Sequence, residues 1–152
     1  MAVFIRNRLH SASFRLLVFN RLAQRLLDAI GEGKSELGIE LIGDSKMRRF
    51  NREFRNTDRT TDVLAFAIRE ADGPSSNLLG DVVISIPTAI RQARVLEHTL
   101  DEEIVRLLIH GMLHLAGYDH ERGEHDAQRM RRKEMKLWKM VQPLPRFVVR
   151  NP

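Results

Sequence analysis

The sequence predicts an α+β fold, and three observations carry the prediction. Helical and strand patterns mix along the chain without strict β-α-β alternation. Four short apolar or alternating runs read as strands, while longer segments with a 3.6-residue period read as helices. A length of 152 residues with 43% apolar content is enough for one buried core, and no repeat, low-complexity block or linker divides it. Residues 1–152 are therefore read as one domain, with a Pro-containing tail from about residue 141.

The elements follow in order. "VFIRNRL" reads as a strand over 3–9, leading into a helix over about 13–30. That helix has a polar stripe of Arg21, Gln24, Arg25 and Asp28 and apolar positions Phe14, Val18, Leu22 and Leu26, and Gly31 and Gly33 end it. Residues 1–27 hold no Asp or Glu, a composition shared with mitochondrial transit peptides. The strand pattern from residue 3, and Asp28 inside the same helical period, assign the segment to the folded domain. "SELGIELIG", 35–43, is a second strand. Asp44 or Ser45 caps a helix to about Phe54, with Met47, Phe50 and Phe54 inward and Arg48, Arg52 and Arg55 forming a basic stripe. "DVLAFAI", 62–68, is apolar almost throughout and reads as a strand covered on both faces. A polar loop at 69–77 precedes the strand "LLGDVVISI", and Pro87 opens the next helix. Thr99 and Glu102 have the form of a capping box for a helix that ends near Gly117. A charged helix over about 124–139 closes the set.

Composition narrows the function classes. With no cysteine, disulfides and thiolate metal sites are excluded, which fits a reducing compartment, and the cytoplasm is the expected location. The longest apolar runs are a few residues, too short for a membrane span. A net charge of +5 and a sequence pI of about 10.2 suit a polyanionic partner, most simply nucleic acid.

The sharpest signal is "HGMLHLAGYDH" at 110–120. On a helix His110 and His114 lie within about 40° of each other and roughly 6 Å apart along the axis, so both rings can reach one point. Gly117 can take positive φ and turn the chain back, bringing His120 to the same point. Three imidazoles leave a tetrahedral ion one open position, as in catalytic rather than structural zinc sites. One zinc ion is therefore expected, although imidazoles also suit nickel, copper and iron. His10, His98 and His125 belong to no such set and read as surface residues. The spacing is that of metzincin proteases, in which a glutamate base follows the first histidine. Here that position is Gly111. Either a carboxylate, Asp62, Asp81 or Asp119, takes its place, or the proton goes to the substrate, or the metal-bound water, already partly hydroxide, needs no base. Asp119 reads more simply as a loop residue orienting a ligand histidine and Asp81 equally as a strand-edge structural residue.

Together with "NREFRNTDRTTDVLAF" at 51–66 and "LLGDVVI" at 78–84, the histidine motif resembles the YbeY family of bacterial rRNA maturation factors, over about residues 34–138. The resemblance implies a small, mixed, mostly parallel sheet packed with helices, and a zinc-dependent, single-strand-specific endoribonuclease. Such an enzyme acts in 16S rRNA 3′-end maturation and ribosome quality control, with the small ribosomal subunit as partner and no DNA or membrane partner. It also implies that His110, His114 and His120 hold the metal, and it places the family's important arginine at Arg55, after Phe54. Ala65-Phe66-Ala67 departs from the family's usual Ser-Phe-Pro. Two rivals remain at this point: a metalloprotease-like hydrolase, which the missing glutamate disfavours, and an RNA- or ribosome-binding assembly factor whose zinc is mainly structural.

Overall fold

The computed structural model describes residues 2–67, 77–119 and 121–150. Most of the polar stretch at 69–77 and the whole of His120 lie outside these. Among the described residues are β1 (Val3–Asn7), β2 (Ser13–Phe14), α1 (Leu16–Ala29), β3 (Glu36–Ile42), α2 (Asp44–Arg55), β4 (Val63–Ala67), β5 (Leu78–Ser85), α3 (Ile86–Leu96), α4 (Leu100–Leu115), α5 (Glu124–Met140) and β6 (Val148–Arg150). The main sheet has the order β1-β3-β5-β4, with β1, β3 and β5 parallel and β4 antiparallel to β5. The expected α+β class and mixed, mostly parallel sheet are therefore present. No helix among the described residues is long and apolar enough to cross a membrane.

Alternation along the strands divides the core in two. Leu37, Ile39 and Leu41 of β3 and Val82 and Ile84 of β5 join Phe19, Leu22 and Leu26 of α1 and Ile104 and Leu108 of α4 in the main core. The next residues along, Ile42 and Val83, face the other way and pack with Leu64 and Met47 in a small second core beneath α2.

Several expectations change. Residues 13–14 are not helical: Ser13 and Phe14 pair antiparallel with Arg150 and Val148 of β6, and the Arg15 N–H donates to the Phe147 carbonyl at 2.6 Å. The helix begins only at Leu16. Beside this ribbon, buried Phe147 stacks on Phe19 at 4.5 Å, so the chain end packs onto the domain.

Asp44 is not a cap but the first helical residue, following Gly43 in extended conformation. Its carboxylate instead accepts from Ser85 Oγ (2.6 Å), Thr88 Oγ1 (2.7 Å) and Arg91 Nη2 (2.8 Å), tying α2 to the start of α3. Burial pushes this carboxyl up, but the Ser85, Thr88 and Arg91 hydrogen bonds together outweigh it and hold the pKa below the usual range.

Phe54 is 61% exposed rather than inward, because it lies past the sheet edge and meets Phe66 edge-on at 5.4 Å. β4 has packing on both faces, with Val63 against the main core and Leu64 and Phe66 against the second. It is nonetheless the edge strand, and only Leu64 in it is buried.

Candidate metal centre

Helix α4 positions the histidines. It starts on the expected capping box, with Thr99 Oγ1 accepting from the Glu102 N–H at 3.1 Å and the Glu102 carboxylate accepting from the Thr99 N–H at 2.9 Å. It ends where Gly117 adopts φ +99°, a conformation that costs other residues strain. Between these ends Gly111 is buried against Val82 of β5 and Val63 of β4. A Cβ there would stand 2.8 Å and 3.2 Å from the Val82 methyls and 3.4 Å from a Val63 methyl. The position that carries the base in metzincins thus faces the sheet and has no room for a side chain. His110 and His114 reach into a groove of about 830 Å³ that Gly111 also lines, bordered further by Arg55, Asp62, Arg106 and Asp119.

The two rings stand nearly perpendicular, with centroids 4.7 Å apart and Nε2 atoms 3.1 Å apart. His110 Nδ1 lies 3.2 Å from Glu134 Oε2 on α5. A carboxylate only accepts, so in a neutral His110 this contact favours the tautomer with the proton on Nδ1, which leaves Nε2 as the nitrogen able to bind a cation. Two imidazole nitrogens bound to one tetrahedral ion stand about 3.3 Å apart, given ion–nitrogen distances near 2.0–2.1 Å. A carboxylate behind a ligand imidazole is also the usual outer support of such an ion. The donor chemistry of these residues therefore fits a zinc-like cation. Among the described residues, no group of three His, Asp or Glu side chains surrounds one point, and His120 lies outside them.

Glu134 was not among the carboxylates that the sequence suggested. The signal was there: Ala127, Met130 and Leu137 are the buried residues of α5, and Glu134 falls on the same stripe. An acid among core positions of a charged helix needs a partner inside.

The three carboxylates that were suggested have other positions. Asp81 is on β5, an interior strand and not an edge, and it points to the sheet face opposite Val82. There it faces Arg6, Gly38 and Glu40, away from the histidines, and burial with the nearby Glu40 charge raises its pKa. Asp119 accepts from the Glu121 N–H at 2.8 Å and pairs with Arg122 at 3.3 Å, so it organises the loop after α4. That Glu121 hydrogen bond, with Arg122 and His114 nearby, holds its pKa down. Asp62 borders the groove and accepts from the Val63 N–H at 2.7 Å.

Arg55 reaches the groove from the end of α2. Its Nη2 donates to the Ala65 carbonyl at 2.6 Å, and the guanidinium lies 5.5 Å from the Phe66 ring centre. The stripe to which it was assigned is divided electrically. Arg48 makes two hydrogen bonds to Asp58, at 2.9 and 3.2 Å, and Arg52 lies 3.8 Å from the same carboxylate. Arg55 is held by a neutral carbonyl and, among the described residues, has no carboxylate partner. His98 is half-buried, not a plain surface residue, with Nδ1 3.8 Å from the buried Glu103 carboxylate.

A family model described as Endoribonuclease YbeY matches residues 5–142. Proteins named Endoribonuclease YbeY are similar to this chain. The one from Anaeromyxobacter sp. (strain Fw109-5) is 50% identical over 115 residues, which are 76% of this chain and 59% of that protein. The one from Aquifex aeolicus is 45% identical over 74% of each chain, and the one from Geobacter metallireducens is 39% identical over 93% of this chain and 97% of that protein. The solution structure of TM1509 from Thermotoga maritima superposes with a TM-score of 0.64 and 27% identity, covering 91% of this chain and 88% of that one. With a family match over residues 5–142 and a relative 39% identical along 97% of its own length, the protein belongs to the Endoribonuclease YbeY family.

Proposed function

We propose that the chain is a zinc-dependent endoribonuclease that cuts single-stranded RNA, acting in the cytoplasm on 16S rRNA 3′-end maturation and ribosome quality control at the small subunit. One observation carries this beyond family membership: two convergent imidazoles, and an arginine with no carboxylate partner among the described residues, border the same groove. His110, His114 and His120 would hold one zinc ion, which supplies Lewis acidity toward a phosphoryl oxygen and toward water.

The chain's own residues supply the rest. Arg55, fixed by the Ala65 carbonyl, presents a planar cation suited to bidentate phosphate contact, where negative charge builds during cleavage. Glu134 holds His110 in one tautomer and one orientation. Asp62 shares the groove wall with Asp119 and Glu121, and with Asp119 engaged by Arg122 it is the carboxylate we assign to accept a proton. Gly111 contributes no base because it is spent on packing, which removes the ground for a metzincin-type peptide hydrolase.

The reading is tested by incubating purified chain with a labelled single-stranded RNA and with its duplex, with and without chelator. Cleavage of the single strand alone, lost with chelator and restored by zinc, supports it. RNA binding without metal-dependent cleavage would leave an assembly factor with a structural ion.

Two substitutions refine the roles. Arg55→Ala is expected to lower kcat by about 10²-fold with metal content unchanged, the scale of removing one donor that faces developing charge. Loss of metal in that variant would make Arg55 structural. Glu134→Gln keeps the shape but removes the charge behind His110, and titration calorimetry should show zinc binding weakened about 10- to 100-fold. An unchanged zinc affinity would detach Glu134 from the centre.

A further inference from the structure

Glu103 has no place in the chemistry so far, yet its position is costly. Its side chain is fully buried in the core-facing part of α4, and taking an ionised carboxylate out of water costs several kcal/mol, so an apolar residue there would serve stability as well or better. Its oxygens are saturated by charged and polar donors. Arg106 Nε donates to Oε1 at 2.9 Å and Arg106 Nη2 to Oε2 at 2.6 Å, forming a two-pronged pair, and Gln92 Nε2 from α3 donates to Oε2 at 2.6 Å. His98 Nδ1 is 3.8 Å from Oε1.

The arginine so gripped is not itself buried. Its side chain is 42% exposed, and it borders the groove that holds His110, His114 and Arg55. It sits four residues before His110, on the same helix face and about 6 Å along the axis. A guanidinium has five N–H donors, of which the fork to Glu103 takes two, so three remain for the groove side. A free surface arginine would lose rotamer entropy on gripping an anion; this one has lost it already.

We propose that Arg106 is a second phosphate-contacting residue of the groove, binding a phosphodiester that flanks the reacting one, and that buried Glu103 is its positioning residue. The proposal rests on the reading of the groove as an RNA site. It explains why a buried charge is kept in a helix whose other buried positions are non-polar: Glu103 aligns the guanidinium, Gln92 holds Glu103 in place, and Arg55 approaches the groove from a different element.

The test uses the full-length, zinc-loaded chain and a fluorescent single-stranded oligoribonucleotide, with affinity followed by anisotropy across a salt series and cleavage followed in parallel. Arg106→Gln alone leaves a buried carboxylate unpaired and is expected to unfold, so the informative variants are Glu103→Gln/Arg106→Gln and Arg106→Lys. The double variant replaces the ion pair with two amides and should keep its melting temperature within a few degrees and its zinc content. It should bind RNA about tenfold more weakly, with a log–log salt slope shallower by about 0.7, the value of one lost contact to a single strand. Arg106→Lys keeps the charge pair but loses the second edge of the fork, so KM on RNA should rise several-fold while kcat changes little. Folded, zinc-loaded variants with wild-type affinity, salt slope and KM would overturn the proposal, and so would a wild-type chain that binds no RNA. Wild-type chain that binds RNA without cleaving it refutes the nuclease reading, while the salt slope still decides the role of Arg106.

Discussion

Replacing His114 with alanine is expected to abolish cleavage of single-stranded RNA, by about 10³-fold or more, without unfolding the domain. The size follows from the several kcal/mol of charge stabilisation that a Lewis acid supplies, at about 1.4 kcal/mol per factor of ten. The retained fold follows from position. His114 is only half-buried, faces the groove rather than the sheet, and sits near the end of a helix in which alanine is the most favourable residue. His114→Ala should therefore lose its zinc, keep its circular dichroism spectrum and still bind RNA through Arg55. His110→Ala is a less clean probe because it also strands the Glu134 carboxylate. Undiminished cleavage by a metal-free His114→Ala preparation would show that the activity comes from elsewhere.

The second large effect concerns the position beside it. Gly111→Glu would recreate the metzincin pattern in sequence, yet it should yield an unfolded or insoluble chain. The new Cβ alone would stand 2.8 Å from Val82, and the carboxylate would follow into the apolar contact between α4 and β5. Overpacking costs about 1–3 kcal/mol and an unpaired buried charge several more, together comparable with the whole stability of a small domain. Gly111→Ala separates the terms. It gains up to about 1 kcal/mol in helix propensity and incurs the clash, so a modest net loss of stability is expected, measurable by chemical denaturation. A soluble Gly111→Glu chain with the wild-type melting temperature would mean that α4 can lift from the sheet.

What the sequence disclosed and what it concealed divide along physical lines. The helix carrying the histidines was readable because its signals are local: a capping box spanning four residues, a 3.6-residue period and a turn glycine. The positions of the four main strands along the chain were also readable, with ends displaced by one or two residues, though not their order in the sheet. Contacts between distant segments were not. Phe14 fits a helical period as well as a strand, and only β6, near the other end of the chain, decides for the strand. The stripe of Arg48, Arg52 and Arg55 looked uniform, but Asp58 answers two of its charges and leaves the third beside the groove. Asp81 stood within an apolar strand, and the pleat turned it to the far face. Glu134 and Glu103 escaped notice for one shared reason: each is an acid on the inner side of a helix, and its meaning depends on a histidine or arginine that packing brings to it.

Metal analysis of the purified wild-type chain is the most direct test of the centre on which the rest depends. About one equivalent of zinc per chain is expected, removed by chelator together with RNA cleavage and regained with it on adding the ion back. A chain that is isolated empty, takes up no zinc-like ion when offered one, and cleaves RNA equally well in chelator would contradict a metal centre at His110 and His114.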